Sequence, residues 1–389
     1  MSRARLALAT LLLVAACDGA SPGTDAGSDP VDAGPFDPAS VGPTDVSILW
    51  PLGADGADLV AVSASAAGGP LLPASVLGAI PPLDREAPND PATIRVVSMR
   101  LDPCFPGRDL SGPVPCRAQV RLVAQPIRDV GGSVGAADAA VHLHFEPGEA
   151  AWRRILTRIV AASRAAGVDR DAPLGVHPAL AAGGASGSFG RALQEILLTE
   201  LGPAALTRVT FVTRELPRAP QWRFGGVEVV AGAPSTLPLV GLATPSDTLT
   251  LDMSVVGGGL YTTSPALDGV DDATLLFDLE SAASAGADAQ RAAWVAALRI
   301  ESPDRHSPET ADCASCHVAQ HLARDAERDF GLGPDHPDRY DAAGVALALA
   351  LPDVRERIRA FGYFEREPQI LQRTVNETAE VVRRIRATP

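Results

Sequence analysis

Hydrophobic and polar positions along this chain repeat with two different periods, and the change of period marks its elements. Six short stretches rich in Val, Ile and Thr, at 46–50, 93–101, 119–124, 139–145, 206–213 and 221–230, are predicted as strands. Between and after them the apolar spacing lengthens to three and four residues. Residues 149–166 place Trp152, Ile155, Leu156, Ile159 and Val160 on one face with arginines between, which predicts an amphipathic helix. A second is predicted over 189–201. A third runs over 288–300 with Asp288 as its potential cap, and Ser302-Pro303 disfavours its continuation. Near the end, Val375, Ala379, Val382 and Ile385 share one side of a helix that Thr374 and Glu377 open with capping-box spacing. The pattern predicts an α+β fold: a strand-rich body with amphipathic helices over 46–300, then a mainly helical segment over 301–389.

The first residues have a different pattern. Arg3 and Arg5 precede an apolar run over 6–13 and a cluster of small residues, the layout of a secretory signal. Val14-Ala15-Ala16-Cys17 resembles the lipobox of bacterial lipoproteins. That resemblance implies that segment 1–17 ends at a lipidated Cys17 and that the chain is exported and anchored to the cell envelope. Residues 18–45, rich in Asp, Gly, Ser, Ala and Pro, have little to bury and read as a solvated tether. No later stretch offers ~20 consecutive apolar residues, so membrane contact is expected through the lipid alone.

Length and composition refine this only in part. With 389 residues the chain has room for one large domain and a smaller one. Aromatic residues are 4% of the chain against 46% hydrophobic, so the core is expected to consist largely of Leu, Val and Ala. The formal charge of −14, with all 33 basic residues arginine and interspersed among acids, argues against nucleic acid as a partner.

The candidate chemistry lies in the cysteines and histidines. Cys104 and Cys116 end two strand-like runs joined by a Pro- and Gly-rich loop, and in an exported protein they are expected to form a disulfide. Cys313-Ala314-Ser315-Cys316-His317 puts two thiols on one side of a helical turn, next to an imidazole. This CxxCH resembles the attachment site of cytochromes c. The resemblance implies one haem c held by thioethers to Cys313 and Cys316, with His317 as proximal iron ligand and a redox protein of the envelope as partner. The order of Leu298-Arg299-Ile300-Glu301-Ser302-Pro303, the CxxCH and Asn376-Glu377-Thr378-Ala379 also resembles lipoproteins of GC-rich bacteria, which adds no activity.

The distal side departs from the family pattern. Of three methionines none follows the motif, and Met253 precedes it. His321 follows His317 by one helical turn and faces the same side of a porphyrin. His336, in a downstream loop, and His306, ahead of the motif, are the candidate distal ligands, with Met253 or an open position behind them. An open position would allow peroxide chemistry; electron transfer is the more economical reading.

Rival readings of the motif lack support. A zinc site needs a fourth ligand, and no second CxxC or paired histidines stand at finger spacing. A thioredoxin-like site needs the dithiol after a strand, where this chain has the polar stretch 304–312. An envelope binding module with purely structural cysteines stays open. His142, His144 and Glu146 share one face of a predicted strand, and His177 would complete a metal set only if the fold brought it close. No serine-centred nucleophile elbow appears, so no residue is assigned to catalysis.

Overall fold

The computed structural model describes residues 36–83, 88–105, 116–215, 221–239, 248–252, 271–354 and 357–387. The signal, most of the tether, Cys17 and Met253 lie outside them. In chain order the strands are β1 (Ser47–Leu49), β2 (Ser65–Ala66), β3 (Gly69–Pro70), β4 (Ile94–Phe105), β5 (Arg117–Asp129), β6 (Val134–Ala136), β7 (Ala140–Phe145), β8 (Leu206–Glu215), β9 (Gln221–Val230), β10 (Ala233–Thr236), β11 (Thr248–Asp252), β12 (Phe361–Phe364) and β13 (Glu367–Ile370). The α-helices are α1 (Pro43–Val46), α2 (Ala74–Leu77), α3 (Glu149–Ala165), α4 (Pro178–Gly183), α5 (Ser188–Glu200), α6 (Leu279–Ser284), α7 (Ala287–Ile300), α8 (Cys313–Phe330) and α9 (Gln372–Arg386). The fold is α+β, as the periodicity predicts.

Nine strands form one antiparallel sheet in the order β1-β4-β5-β7-β8-β9-β10, with β6 on β5 and β11 on β9. Because successive side chains on a strand point to opposite faces, the sheet separates two kinds of residue. Met99, Leu101, Val120, Leu122, Val141, Leu143, Phe145 and Val209 share one face and are fully buried or nearly so. Helix α3 packs on this face through Trp152, Ile155, Leu156 and Ile159, with α5 beside it. The Trp152 indole donates to the Gln119 carbonyl at 3.2 Å, which gives its one polar atom a partner. On the other face, polar and charged side chains alternate with these apolar ones, and α8 and α9 pack over it.

The C-terminal segment is built into the same unit as the sheet, Asp37–Pro389, so 301–389 is not a separate body. It also contains the hairpin β12–β13, which the helical pattern does not predict; Ser98 in the sheet donates to the Phe361 carbonyl at 2.7 Å. Two capping expectations are corrected. Gly286 caps α7 and Asp288 sits in its first turn. Helix α9 begins at Gln372 with Leu371 as its cap, so Thr374 lies inside it and donates to the Ala360 carbonyl at 2.7 Å. Glu377, freed from any capping role, turns to arginines of the sheet. Cys104 and Cys116 form the expected disulfide, with Cα atoms 4.6 Å apart. Among the described residues no helix is long and apolar enough to cross a membrane.

Candidate functional site

Cys313 opens α8. Asp312 caps this helix by accepting from the Ser315 amide at 3.0 Å and the Ser315 hydroxyl at 2.6 Å, and Gly331 ends it in the left-handed conformation that glycine tolerates. The rigid first turn points Cys313, Cys316 and His317 into a cavity of about 1090 Å³ of empty space, counting its mouth. Both thiols are free and half-buried. Burial pushes each up to about 12, so neither resembles the ionised thiol of a dithiol redox centre.

His317 is held by its own backbone surroundings. Its Nδ1 donates to the Ile358 carbonyl at 2.5 Å, which assigns the proton to that nitrogen and leaves Nε2 as a lone-pair donor. Burial lowers its pKa to about 4, only partly offset by that hydrogen bond, so the ring is neutral at physiological pH. Phe224 packs on it with centroids 5.2 Å apart.

The opposite wall is the polar face of the sheet, and register explains its composition. Arg100 pairs with Arg121, Arg121 with His144 and His144 with Arg208, giving one row across four strands. Val123, His142 and Thr210 form the next row, two residues along. Each of these side chains lines the cavity. The His142 and His317 rings lie across it from one another, 6.3 Å between centroids and with planes 20° from parallel.

Arg100 and Arg121 stand directly opposite on neighbouring strands, an unfavourable pairing without an anion between them. Glu377 of α9 supplies it: its carboxylate meets Arg100, Arg121 at 3.0 Å and Arg373 at 2.7 Å. Burial alone would raise the Glu377 pKa, but the three guanidiniums outweigh it and hold the carboxyl well below the usual range. Three cations share one carboxylate, and the Nε atoms of Arg100 and Arg121 are buried with no hydrogen-bond partner. This corner of the wall therefore keeps unspent guanidinium donors, which suits an anionic ligand. Arg208 is instead held by Glu309 at 2.5 Å and Glu228 at 3.6 Å.

The other sequence-derived candidates lie elsewhere. His306 bonds Asp271 at 2.8 Å through Nε2 and Thr310 at 3.3 Å through Nδ1, so both ring nitrogens are committed outside the cavity. His336 packs edge-on against Trp294 at 4.9 Å, and its Nδ1 accepts from the Asp338 amide at 3.2 Å. Neither candidate distal ligand lines the cavity. His321, one turn after His317, meets the Arg357 carbonyl at 3.3 Å. The suggested set on β7 does not assemble: Glu146 pairs with Arg117, and His177 stacks on Phe189 at 4.3 Å. Among the described residues no three His, Cys, Asp or Glu side chains are arranged to hold a metal ion. The sequence pattern assigned Glu377 to a helix cap and no role to Arg100, Arg121 or Arg373; for Arg100 and Arg121 the available signal was arginine recurring at apolar-flanked strand positions.

Comparison with family models, with curated proteins and with solved structures finds no match to this chain.

Proposed function

We propose that this chain is an envelope lipoprotein carrying one covalently attached haem of the c type and acting in electron transfer with a redox partner protein. The observation that carries the reading is the convergence of Cys313, Cys316 and the uncommitted Nε2 of His317 on one cavity, with His317 locked by its bond to Ile358. The two thiols would hold the porphyrin edge through thioethers, and His317 would ligate iron. The carbonyl bond raises the basicity of the ligating nitrogen and fixes the ring's orientation. Arg100 and Arg121, which line the cavity with their Nε atoms unpartnered, would receive the carboxylates that any haem carries. When bound, the haem supplies a reversible one-electron couple. The mostly buried walls would limit water at that position and favour electron passage over open ligand chemistry. Anchorage through Cys17 follows from the lipobox resemblance and belongs to the same proposal.

The test is to express the full chain in cells equipped to mature c-type cytochromes and to run it on a denaturing gel. Haem-dependent peroxidase staining that survives boiling in the wild type, and is lost in Cys313→Ala/Cys316→Ala, supports the reading. A colourless wild-type band rejects it.

A further inference from the structure

We propose that His142 is the second axial ligand, so that the iron lies between His142 on the sheet and His317 on the helix. This rests on the haem reading above and adds to it the one ligand that sequence reasoning placed elsewhere.

Three observations carry it. The first is separation: two imidazoles coaxial with one metal stand roughly 6 Å apart between ring centroids when each nitrogen lies about 2 Å from the ion. The observed separation is 6.3 Å, with the rings 20° from parallel. The second is the hydrogen-bond chain behind His142. Gln119 Oε1 can only accept, so His144 donates to it from Nδ1 at 3.3 Å and presents Nε2 as an acceptor. The Thr210 hydroxyl then donates to His144 Nε2 at 3.4 Å and accepts from His142 Nδ1 at 3.3 Å. The chain ends on His142 Nε2, which makes no hydrogen bond and carries a lone pair. His142 thus has the arrangement of His317: Nδ1–H anchored on oxygen, Nε2 uncommitted. The third is exclusion of the two other candidate histidines, since His306 and His336 are bonded to other groups away from the cavity.

Strand register makes this possible. His142 pairs with Thr210 on β8, so the residue that orients the ring is fixed by the ladder itself. Thr210 is a positioning residue in this scheme, and His144 transmits the polarity of Gln119 to it.

The experiment uses the full chain matured with haem, as wild type, His142→Ala, His142→Met, His306→Ala and His336→Ala. Intact mass reports whether haem is attached, separately from what ligates it. The wild type is expected to be low-spin when ferric and, when ferrous, inert to carbon monoxide at stoichiometric concentration. His142→Ala is expected to keep the haem mass, become high-spin and bind carbon monoxide, and return to low spin with added imidazole. His142→Met is expected to raise the reduction potential, since methionine in place of histidine favours ferrous iron. The other two variants are expected to match the wild type. A haem-loaded His142→Ala that stays low-spin and inert overturns the proposal, as does a spin change in His306→Ala or His336→Ala instead. Should His142→Ala not fold, an unchanged potential in His142→Met overturns it equally. A wild type without haem mass rejects the proposed function and this inference together, whereas a loaded wild type with an indifferent His142 rejects this inference alone.

Discussion

The two faces of the central sheet come from the same strands and do opposite work. On β7, Val141, Leu143 and Phe145 disappear under α3, while His142 and His144, one residue out of phase, face the cavity under α8 and α9. The apolar face is held by area removed from water, which is tolerant of chemistry and sensitive to volume. The polar face is held by a buried ion cluster, which is sensitive to the loss of one charge. A single pleat therefore keeps the stabilising core and the candidate site on adjacent residues, so that substitutions one position apart ought to separate stability from haem chemistry.

The largest expected effects break each face in its own way. Glu377→Ala leaves Arg100, Arg121 and Arg373 buried without their shared anion, and a loss of about 3–5 kcal/mol is expected in denaturant unfolding. Phe145→Ala opens a cavity on the apolar face at a similar cost, about 3–5 kcal/mol. The two should differ in what rescues them: Glu377→Gln keeps the shape without the charge and is expected to lose nearly as much as Glu377→Ala, whereas Phe145→Leu refills most of the volume and is expected to recover much of the loss. Equal rescue by the two near-isosteric replacements would mean that the faces are not stabilised differently.

Next in size is the staple at the far end of β4 and β5. Replacing Cys104 and Cys116 by serine releases a short loop, worth about 3 kcal/mol by chain entropy. Haem attachment should survive, because the bridge lies outside the cavity lining; loss of haem in this variant would tie the disulfide to the site.

Smaller effects come from two buried groups that do not line the cavity. Burial raises Glu301 to about 7, with Arg339 and Arg324 opposing and Glu327 adding to the rise. Its folded pKa lies above the unfolded one, so its contribution is complete below about pH 4.5 and is lost as pH climbs through about 7. Glu301→Gln is expected to flatten the fall in melting temperature between pH 5 and 8; an unchanged slope would contradict this. Burial lowers His177 to about 4, and neither ring nitrogen has a partner. The sign reverses here: the unfolded chain takes a proton near pH 6.5 that the folded chain resists, so stability falls as pH drops from there toward 4. His177→Phe, which keeps a ring against Phe189, is expected to remove that loss in acid melts.

Much of the fold was legible because it is written in local period. The six strand stretches and the helices at 149–166, 189–201 and 288–300 each appear within a few residues of their predicted limits, since alternation and amphipathicity need no knowledge of the partner element. The Cys104–Cys116 pairing was legible for a similar reason, two strand ends joined by a short loop. What failed depended on distant partners. The capping box at Thr374 and Glu377 has the right spacing, yet Ala360 claims the hydroxyl and three arginines claim the carboxylate. His306 and His336 were attractive for their closeness to the motif, and Asp271 and Trp294 hold them elsewhere. His142 was visible as a strand-face histidine, but which helix covers that face is decided by the whole topology, not by its neighbours in sequence.

Whether Cys313 and Cys316 carry a haem is read at the two sulfurs themselves by peptide mapping with mass spectrometry. The full chain, purified after expression with the maturation machinery, is digested, and the peptide spanning Cys313 to His317 is weighed. This peptide is expected to gain the mass of one haem bonded through both sulfurs. Recovery of the same peptide with two unmodified thiols, or with the thiols joined to each other, would contradict it.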